Sequence, residues 1–551
     1  MCIRDRKGKV AIVVCLLVIA TFSTMTIANK KDTEYKVIAE LHKGIRSIDM
    51  EMSKAMPFNE KVRAHKINVL GEDVQVTFGE GPELQPAIAN DNAGNLLIGF
   101  IGDVYNTGEY NAWFTYSPDG GETWATDAIA WQIETPEYPD LDYWGEGTRF
   151  FGTLVPNPLD NDGSSLYIME CNNPADFENG YSMVYWTWSD VGDGYYNFID
   201  VNIGCDNGAE DWSWGCTSMI GDHGSGLVQT PFFSYQFTED GWAWIYRWST
   251  GGDEFTYEQG TSTSVDIDPI THIAYPVWTY LNPETGLHDI LFSKFDFSTW
   301  EPYDSYQVHP EIGGGNITTS VDDIYIDISA YNNNVIIVSQ VEGENGKDIV
   351  CYYSSDGLET VETSIIANTP ADEMYPKVVH LGENEAICIF VKDGNLYQTR
   401  TTDGGATWDE PVKINDADGT VIEERGTADL CKLGALWTDN RNGNADIYFD
   451  TVGAVPIINV ESVQGGFGVK ATIANVGTAD AKDVAWSIDL EGLVFIGKHK
   501  EGVISSLPAG QSTTISSGLV FGIGPVTVTV TAGGSTATAD GFIVGPFVLG
   551  L

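Results

Sequence analysis

Seven short stretches of this chain repeat one pattern. Each is a run of five to seven residues in which aromatic and β-branched positions alternate with polar ones or follow one another, and each stops on Ser or Thr. They are Asn111–Ser117, Met183–Ser189, Ala243–Ser249, Asp289–Ser293, Asp348–Ser354, Asn395–Thr401 and Asp446–Thr451, with ends 72, 60, 44, 61, 47 and 50 residues apart. Period-two patterning of this kind predicts strands. A repeat of about 40–60 residues built from short strands predicts propeller blades, in which each repeat is one sheet.

The first repeat shows the unit most plainly. Pro86–Asn90, Leu96–Gly102, Asn111–Ser117 and Ala125–Trp131 read as four successive strands, parted by turn sequences such as DNAGN and DGGET. The last repeat has only three, Ala428–Lys432, Gly434–Thr438 and Asp446–Thr451. Asp73–Gly79, which precedes the first repeat, has strand character and no place in it. It is expected to supply the missing outer strand and so to close the ring, removing an open sheet edge. The expected architecture is all-β: a seven-bladed propeller, or six-bladed since the second and third units are least regular, over residues 67–454. From about Val455 aromatics thin out and Val, Thr, Ser, Ala and Gly alternate, which predicts an immunoglobulin-like β-sandwich over 455–551.

The N-terminal residues differ in kind. Met1–Arg6 reads as a foreign prefix. Lys7 and Lys9 then precede an apolar run, Val10–Ala20, followed by small and hydroxylated residues to Ala28. Residues 1–30 therefore read as an export signal peptide or an uncleaved anchor. Val37, Ile38, Leu41, Ile45, Ile48 and Met52 fall near helical spacing, so 31–66 is expected to be a helical stalk or pro-segment.

Charge narrows the partners. The chain carries 28 Lys+Arg against 79 Asp+Glu, a net −51. Residues 1–66 have a net charge of +6, so the remainder carries −57. Such a surface repels nucleic acid and anionic lipid, and membrane contact is expected only through the N-terminal segment. It suits a saline, extracellular setting, and Ca²⁺ is the one cofactor that the acidic loops would favour. Cys205 and Cys216 bracket a short Asp- and Trp-rich loop. In an exported chain they are expected to form a disulfide. No zinc, nucleotide or nucleophile-elbow motif is present.

Ser117, Asp119, Gly121, Thr123 and Trp124 follow the first repeat strand, and Thr401, Asp403, Gly405, Thr407 and Trp408 follow the sixth. Both fit S/T-x-D-x-G-x-T-W, and Ser354–Val361 is a worn copy. This motif resembles the Asp box of sialidase-type (BNR repeat) propellers of prokaryotic secreted type. The resemblance covers roughly 67–454, and the C-terminal segment resembles Ig-like adhesion or spacer domains. In that family the boxes are rim turns and imply the fold. A sialidase is implied to hold its substrate carboxylate with three arginines, yet residues 67–551 contain five in all, of which only Arg149 and Arg425 adjoin an expected inner strand.

Acidic and aromatic loops leading into the inner strands supply the candidate site. Asp142, Glu146, Arg149, Asp211, Glu424 and Arg425 are catalytic candidates. Trp144, Trp212, Trp214 and Tyr375 are candidate platforms for a sugar face. Two readings follow. One is an exported surface or secreted propeller that binds glycan or protein ligands without transforming them. The other is a glycoside hydrolase or lyase of the sialidase-like superfamily lacking the arginine triad.

Overall fold

The computed structural model describes two short N-terminal strands, Tyr35–Glu40 and Arg46–Ser47, and residues 73–551 with interruptions, the longest within 156–259. Between residues 137 and 259 the strand pairing is described throughout but the side chains only in part. Among the described residues there is no helix.

From residue 74 to residue 451 the chain forms seven antiparallel sheets of four or five strands among the described residues, and a separate two-stranded hairpin, Glu301–Tyr303 with Tyr306–Val308. Each of the seven sheets opens with a strand whose edge faces the next sheet. These first strands are Glu83–Asn90, Glu137–Trp144, Tyr196–Cys205, Thr263–Ile267, Asp323–Tyr331, Met374–Gly382 and Ala428–Leu430. Each contacts the next, and the last contacts the first. That closed cycle of sheets around an axis is a β-propeller.

Closure follows the expected route. Val74 pairs with Phe449 and Gln75 with Tyr448, so the strand before the first sheet completes the last one. Arg441 pins it, with Nη2 2.6 Å from Asp73 and 2.6 Å from Asp439. Gln75 also donates to the Asp446 carboxylate at 3.0 Å.

The rim turns are built by side-chain hydrogen bonds. In the first, Ser117 Oγ donates to Asp119 at 2.9 Å, and Asp119 accepts from Thr123 N at 2.7 Å and Thr123 Oγ1 at 2.6 Å. The sixth sheet repeats this with Thr401, Asp403 and Thr407. Gly121 has a φ of +96°, and a Cβ there would meet Phe449 of the seventh sheet at 2.2 Å, so only glycine fits. Trp124 packs edge-on against the same Phe449, with centroids 5.3 Å apart. The turn therefore clamps one sheet to its neighbour. The worn copy keeps every one of these bonds, with Ser354, Asp356 and Thr360, but places Leu358 at a φ of +65°. Leu358 is buried in the core of the fourth and fifth sheets, and that apolar contact offsets the left-handed backbone.

Two expectations are corrected. Tyr35–Glu40 and Arg46–Ser47 are strands rather than part of a helical stalk, and they add to the outer edges of the third and second sheets. Tyr35, Val37 and Ala39 also alternate with period two. An exposed edge offers backbone partners that settle the choice between two periodicities. Cys205 and Cys216 are free, buried thiols. Gly204 lies opposite Cys216 and Cys205 opposite Gly215, so the two side chains leave the sheet on opposite faces.

Residues 458–549 form a second unit. A three-stranded sheet faces a six-stranded one across a shared apolar core that includes Ile473, Ile488, Val520, Val528, Val530 and Ile543.

Candidate functional site

The first strand of every sheet has one edge paired within its sheet and one turned toward the next, where backbone N–H groups need acceptors. Acidic and amide side chains provide them. Gln85 accepts from Tyr138 N at 2.7 Å, Asp140 from Ile203 N at 2.7 Å, and Asp142 from Cys205 N at 2.6 Å. Asp200 accepts from Thr263 N at 2.8 Å, Asp266 from Ala330 N at 2.7 Å, and Asp327 from Val378 N at 2.8 Å. Asp429 accepts from Ile88 N at 2.8 Å and so joins the seventh sheet to the first. In each case the acceptor belongs to the preceding sheet and the donor to the following one. The sixth and seventh sheets are joined by an ion pair, Lys377 Nζ to Asp429 at 3.8 Å.

One end of the axis opens into a cavity lined by residues of all seven sheets, among them Gln85, Tyr138, Asp140, Asp200, Tyr325, Lys377 and Asp429. Its mouth is made by a repeated device. Gln85, Tyr138 and Tyr375 each precede a proline, each has a φ near +50°, and each sits where the first strand shifts register. The left-handed backbone costs about 1 kcal/mol per residue and turns these side chains toward the axis. The corresponding place in the seventh sheet is Gly426, φ +74°, where a Cβ would press on Tyr138 at 3.2 Å.

Arg425 packs against three residues of the cavity wall. It lies 2.7 Å from Asp200, with its guanidinium 4.6 Å from the Tyr138 ring and 5.5 Å from the Tyr325 ring. Tyr375 meets Tyr325 edge-on at 5.5 Å. Burial would lower the pKa of Arg425, but Asp200, Tyr325 and Tyr138 more than reverse this. Deeper in, burial opposes the Lys377 charge, but Asp327, Tyr325, Asp429 and Asp140 around it hold its pKa well above the usual ammonium range. Burial raises Asp140 and Asp429 against the pull of Lys377. Two rings of the cavity wall, Tyr138 and Tyr325, thus flank one guanidinium, and the same cavity is lined by a cation, Lys377, that carboxylates surround.

The structure brings together Tyr375, Glu424 and Arg425 of the expected residues. Glu424 is exposed and its charge reaches Tyr375. Asp142 belongs elsewhere. It accepts from Tyr143 N at 2.7 Å as well as from Cys205 N, and it lines a second cavity at the other end of the axis with Asp266, His380 and Lys432. Burial raises its pKa well above the carboxylate range. It is a structural acceptor rather than a partner of Arg425. Glu146, Asp211, Trp212 and Trp214 lie outside the described residues, as do the side chains of Trp144 and Arg149, whose backbones pair with each other. Among the described residues no three His, Cys, Asp or Glu converge on a metal position, so the expected Ca²⁺ has no candidate ligand set among them.

Lys377, Tyr138 and Tyr325 were not singled out from the chain. A usable signal existed: Gln85-Pro86, Tyr138-Pro139 and Tyr375-Pro376 are three x-Pro steps at the same place in the repeat.

No protein-family profile matches the chain, and no curated protein matches it in sequence. Among solved structures it is similar to a protein of unknown function from Dyadobacter fermentans, at 10% identity over 69% of this chain and 96% of that one, with a TM-score of 0.39. It is also similar to the β-propeller domain of the trilobed protease from Pyrococcus furiosus, at 10% identity over 68% and 95%, TM-score 0.37. A Trypanosoma rangeli sialidase is similar at 11% identity over 91% and 93%, TM-score 0.32. At such scores the likeness decides nothing about activity.

Proposed function

We propose that this chain is an exported, surface or secreted protein whose seven-bladed propeller binds glycan or protein ligands on the axial face bearing Tyr138, Tyr325, Tyr375 and Arg425, without transforming them. In this reading the C-terminal unit is an immunoglobulin-like sandwich that spaces or attaches the propeller. One observation carries the choice of binding over catalysis. The described aspartates along the axis, Asp140, Asp142, Asp200, Asp266, Asp327 and Asp429, each hold a backbone N–H of another sheet. An acid–base or nucleophilic pair needs carboxylates free to change partners during the reaction. The mouth instead offers ring faces and one guanidinium, groups suited to stacking and to accepting a hydroxylated or anionic ligand.

A second reading, a glycoside hydrolase or lyase of sialidase-like type, is favoured by Asp140, whose buried carboxyl is held toward its protonated form next to Lys377. One experiment separates the two. The full chain is titrated with neutral and acidic oligosaccharides while product is assayed in the same samples. Saturable binding without turnover, weakened at least tenfold by Arg425→Ala or Tyr375→Ala, supports binding. Turnover that Asp140→Asn abolishes overturns it.

A further inference from the structure

The outer face of the six-stranded C-terminal sheet changes character halfway along its strands. At one end Thr527, Thr529 and Thr531 lie opposite Asp540, Thr538 and Thr536, joined side chain to side chain at 2.7, 3.5 and 3.2 Å. At the other end the same face is apolar. Ile523 lies opposite Val544, Val544 opposite Phe547, and Phe547 opposite Phe467. Beside that row, Pro525 lies opposite Phe542 and Phe542 opposite Leu549. Leu493 and Phe495 flank the inward-facing Val494 and so project outward on the next strand, near Phe521.

These side chains do no work in the core, which the inward set Val526, Val528, Val530, Ile543 and Val548 already fills. They are open to solvent: Phe547 is 50% exposed, Ile523 57% and Phe495 66%. On the propeller, by contrast, the exposed large apolar residues among those described are Phe78, Tyr105, Ile270, Ile312, Ile365 and Val412, on different sheets and loops. Single exposed apolar residues are ordinary, whereas a contiguous face is not.

We propose that this face joins two copies of the chain, sheet against sheet about a two-fold axis. Area supports it. About ten half-exposed large side chains amount to roughly 800–1,000 Å², close to the ~800 Å² that each partner contributes to a standard interface. Charge selects the occupant. With a net charge of −51 two copies repel almost everywhere. Residues 515–551 carry one ionisable side chain, Asp540, and it sits in the threonine half of the face with Asp489 and Glu491, which lie opposite Thr529 and Thr527. The apolar half is therefore a place where two copies can meet without bringing carboxylates together. A flat face of this kind is also self-complementary, as a two-fold contact requires. A membrane surface fits less well, because a chain with a net charge of −51 is repelled by anionic headgroups.

The test is sedimentation velocity on the full chain at micromolar concentration and physiological salt. A dimer is expected, and Val544→Glu with Phe547→Glu is expected to convert it to monomer with an unchanged thermal transition. As a readout independent of those variants, Val544→Cys is expected to cross-link into a covalent dimer under mild oxidation, whereas Thr538→Cys in the polar half remains monomeric. A monomeric wild-type chain overturns the proposal. So does association that survives the double substitution, equal cross-linking from both cysteines, or capture of the wild-type chain by zwitterionic or anionic vesicles that the double substitution abolishes.

Discussion

The propeller axis and the C-terminal sandwich distribute polarity in opposite ways. Along the axis, buried carboxylates such as Asp200, Asp327 and Asp429 stand where a core would ordinarily be apolar, and Asp327 and Asp429 flank a largely buried Lys377. In the sandwich the interior is aliphatic, while phenylalanines and branched side chains lie on the outer face. The difference comes from strand edges. A propeller turns the open edge of each first strand inward, toward the next sheet, and every N–H on that edge needs an acceptor. Aspartate on the neighbouring strand meets that need at 2.6–2.8 Å. The sandwich packs sheet faces, not edges, so its interior needs few acceptors, and serines suffice: Ser535 accepts from Val460 N at 3.2 Å and Ser517 from Val469 N at 2.9 Å. Acidity is thus part of the propeller's construction as well as of its surface.

The sharpest way to break this comparison is to remove the axial cation. Lys377→Met leaves Asp327, Asp429 and Asp140 without their shared counter-charge, and a loss of roughly 3–5 kcal/mol is expected in the propeller's unfolding transition. Denaturant titration that leaves the sandwich transition in place checks it. Next comes Asp142→Ala, which strips two buried N–H groups of their acceptor. It is expected to cost about 3 kcal/mol, against about 1 for Asp142→Asn, which can still accept. If alanine costs no more than asparagine, Asp142 is not the acceptor described here.

Acidification should separate the two regions next. Burial raises Glu83 to about 8, and Asp266, Glu311 and Asp450 to about 7. Their folded-state values exceed the unfolded ones, so the stability they contribute is complete below about pH 4 and is lost as the pH rises through about 7–8. The sandwich has the opposite case in Asp489. There burial opposes the charged form, but bonds from His499 and Ser487 prevail and lower the value, so its contribution is lost as the pH falls. Calorimetry is expected to show the propeller transition rising between pH 8 and pH 5.5 while the sandwich transition does not. A propeller that is more stable at pH 8 contradicts this. A smaller effect is expected at the rim, where Asp403→Ala removes the acceptor of Thr407 and is expected to cost about 1–2 kcal/mol. The smallest is Val544→Thr on the sandwich's outer face, expected to change stability by less than about 0.5 kcal/mol.

Local patterns in the chain carried much of the architecture. The repeated strand ends, the turn with Asp119 and Gly121 and its copy with Asp403 and Gly405, and the orphan strand that closes on Phe449 and Tyr448 are all short-range chemistry. Alternation, positive φ and side-chain-to-turn hydrogen bonds are visible within eight residues. The site was legible in part. Tyr375 and Arg425 stood out as an aromatic and a rare arginine beside inner strands, and they lie near enough for the Arg425 charge to act on Tyr375. Asp142 stood out equally, as an acid in an aromatic loop, yet it faces the other cavity. The difference is one of strand position and inter-sheet register, which no local pattern records.

The alternation of apolar and polar residues settled the all-β composition, the repeat and the change of character near residue 455, because side-chain period is a property of each strand alone. The tertiary structure decided which face Cys205 and Cys216 take, that Tyr35–Glu40 extends a sheet, and which carboxylates hold a neighbouring N–H rather than face the mouth with Arg425. Those outcomes depend on how one strand is registered against another that lies dozens of residues away, and pairing energy between strands is shared by both partners.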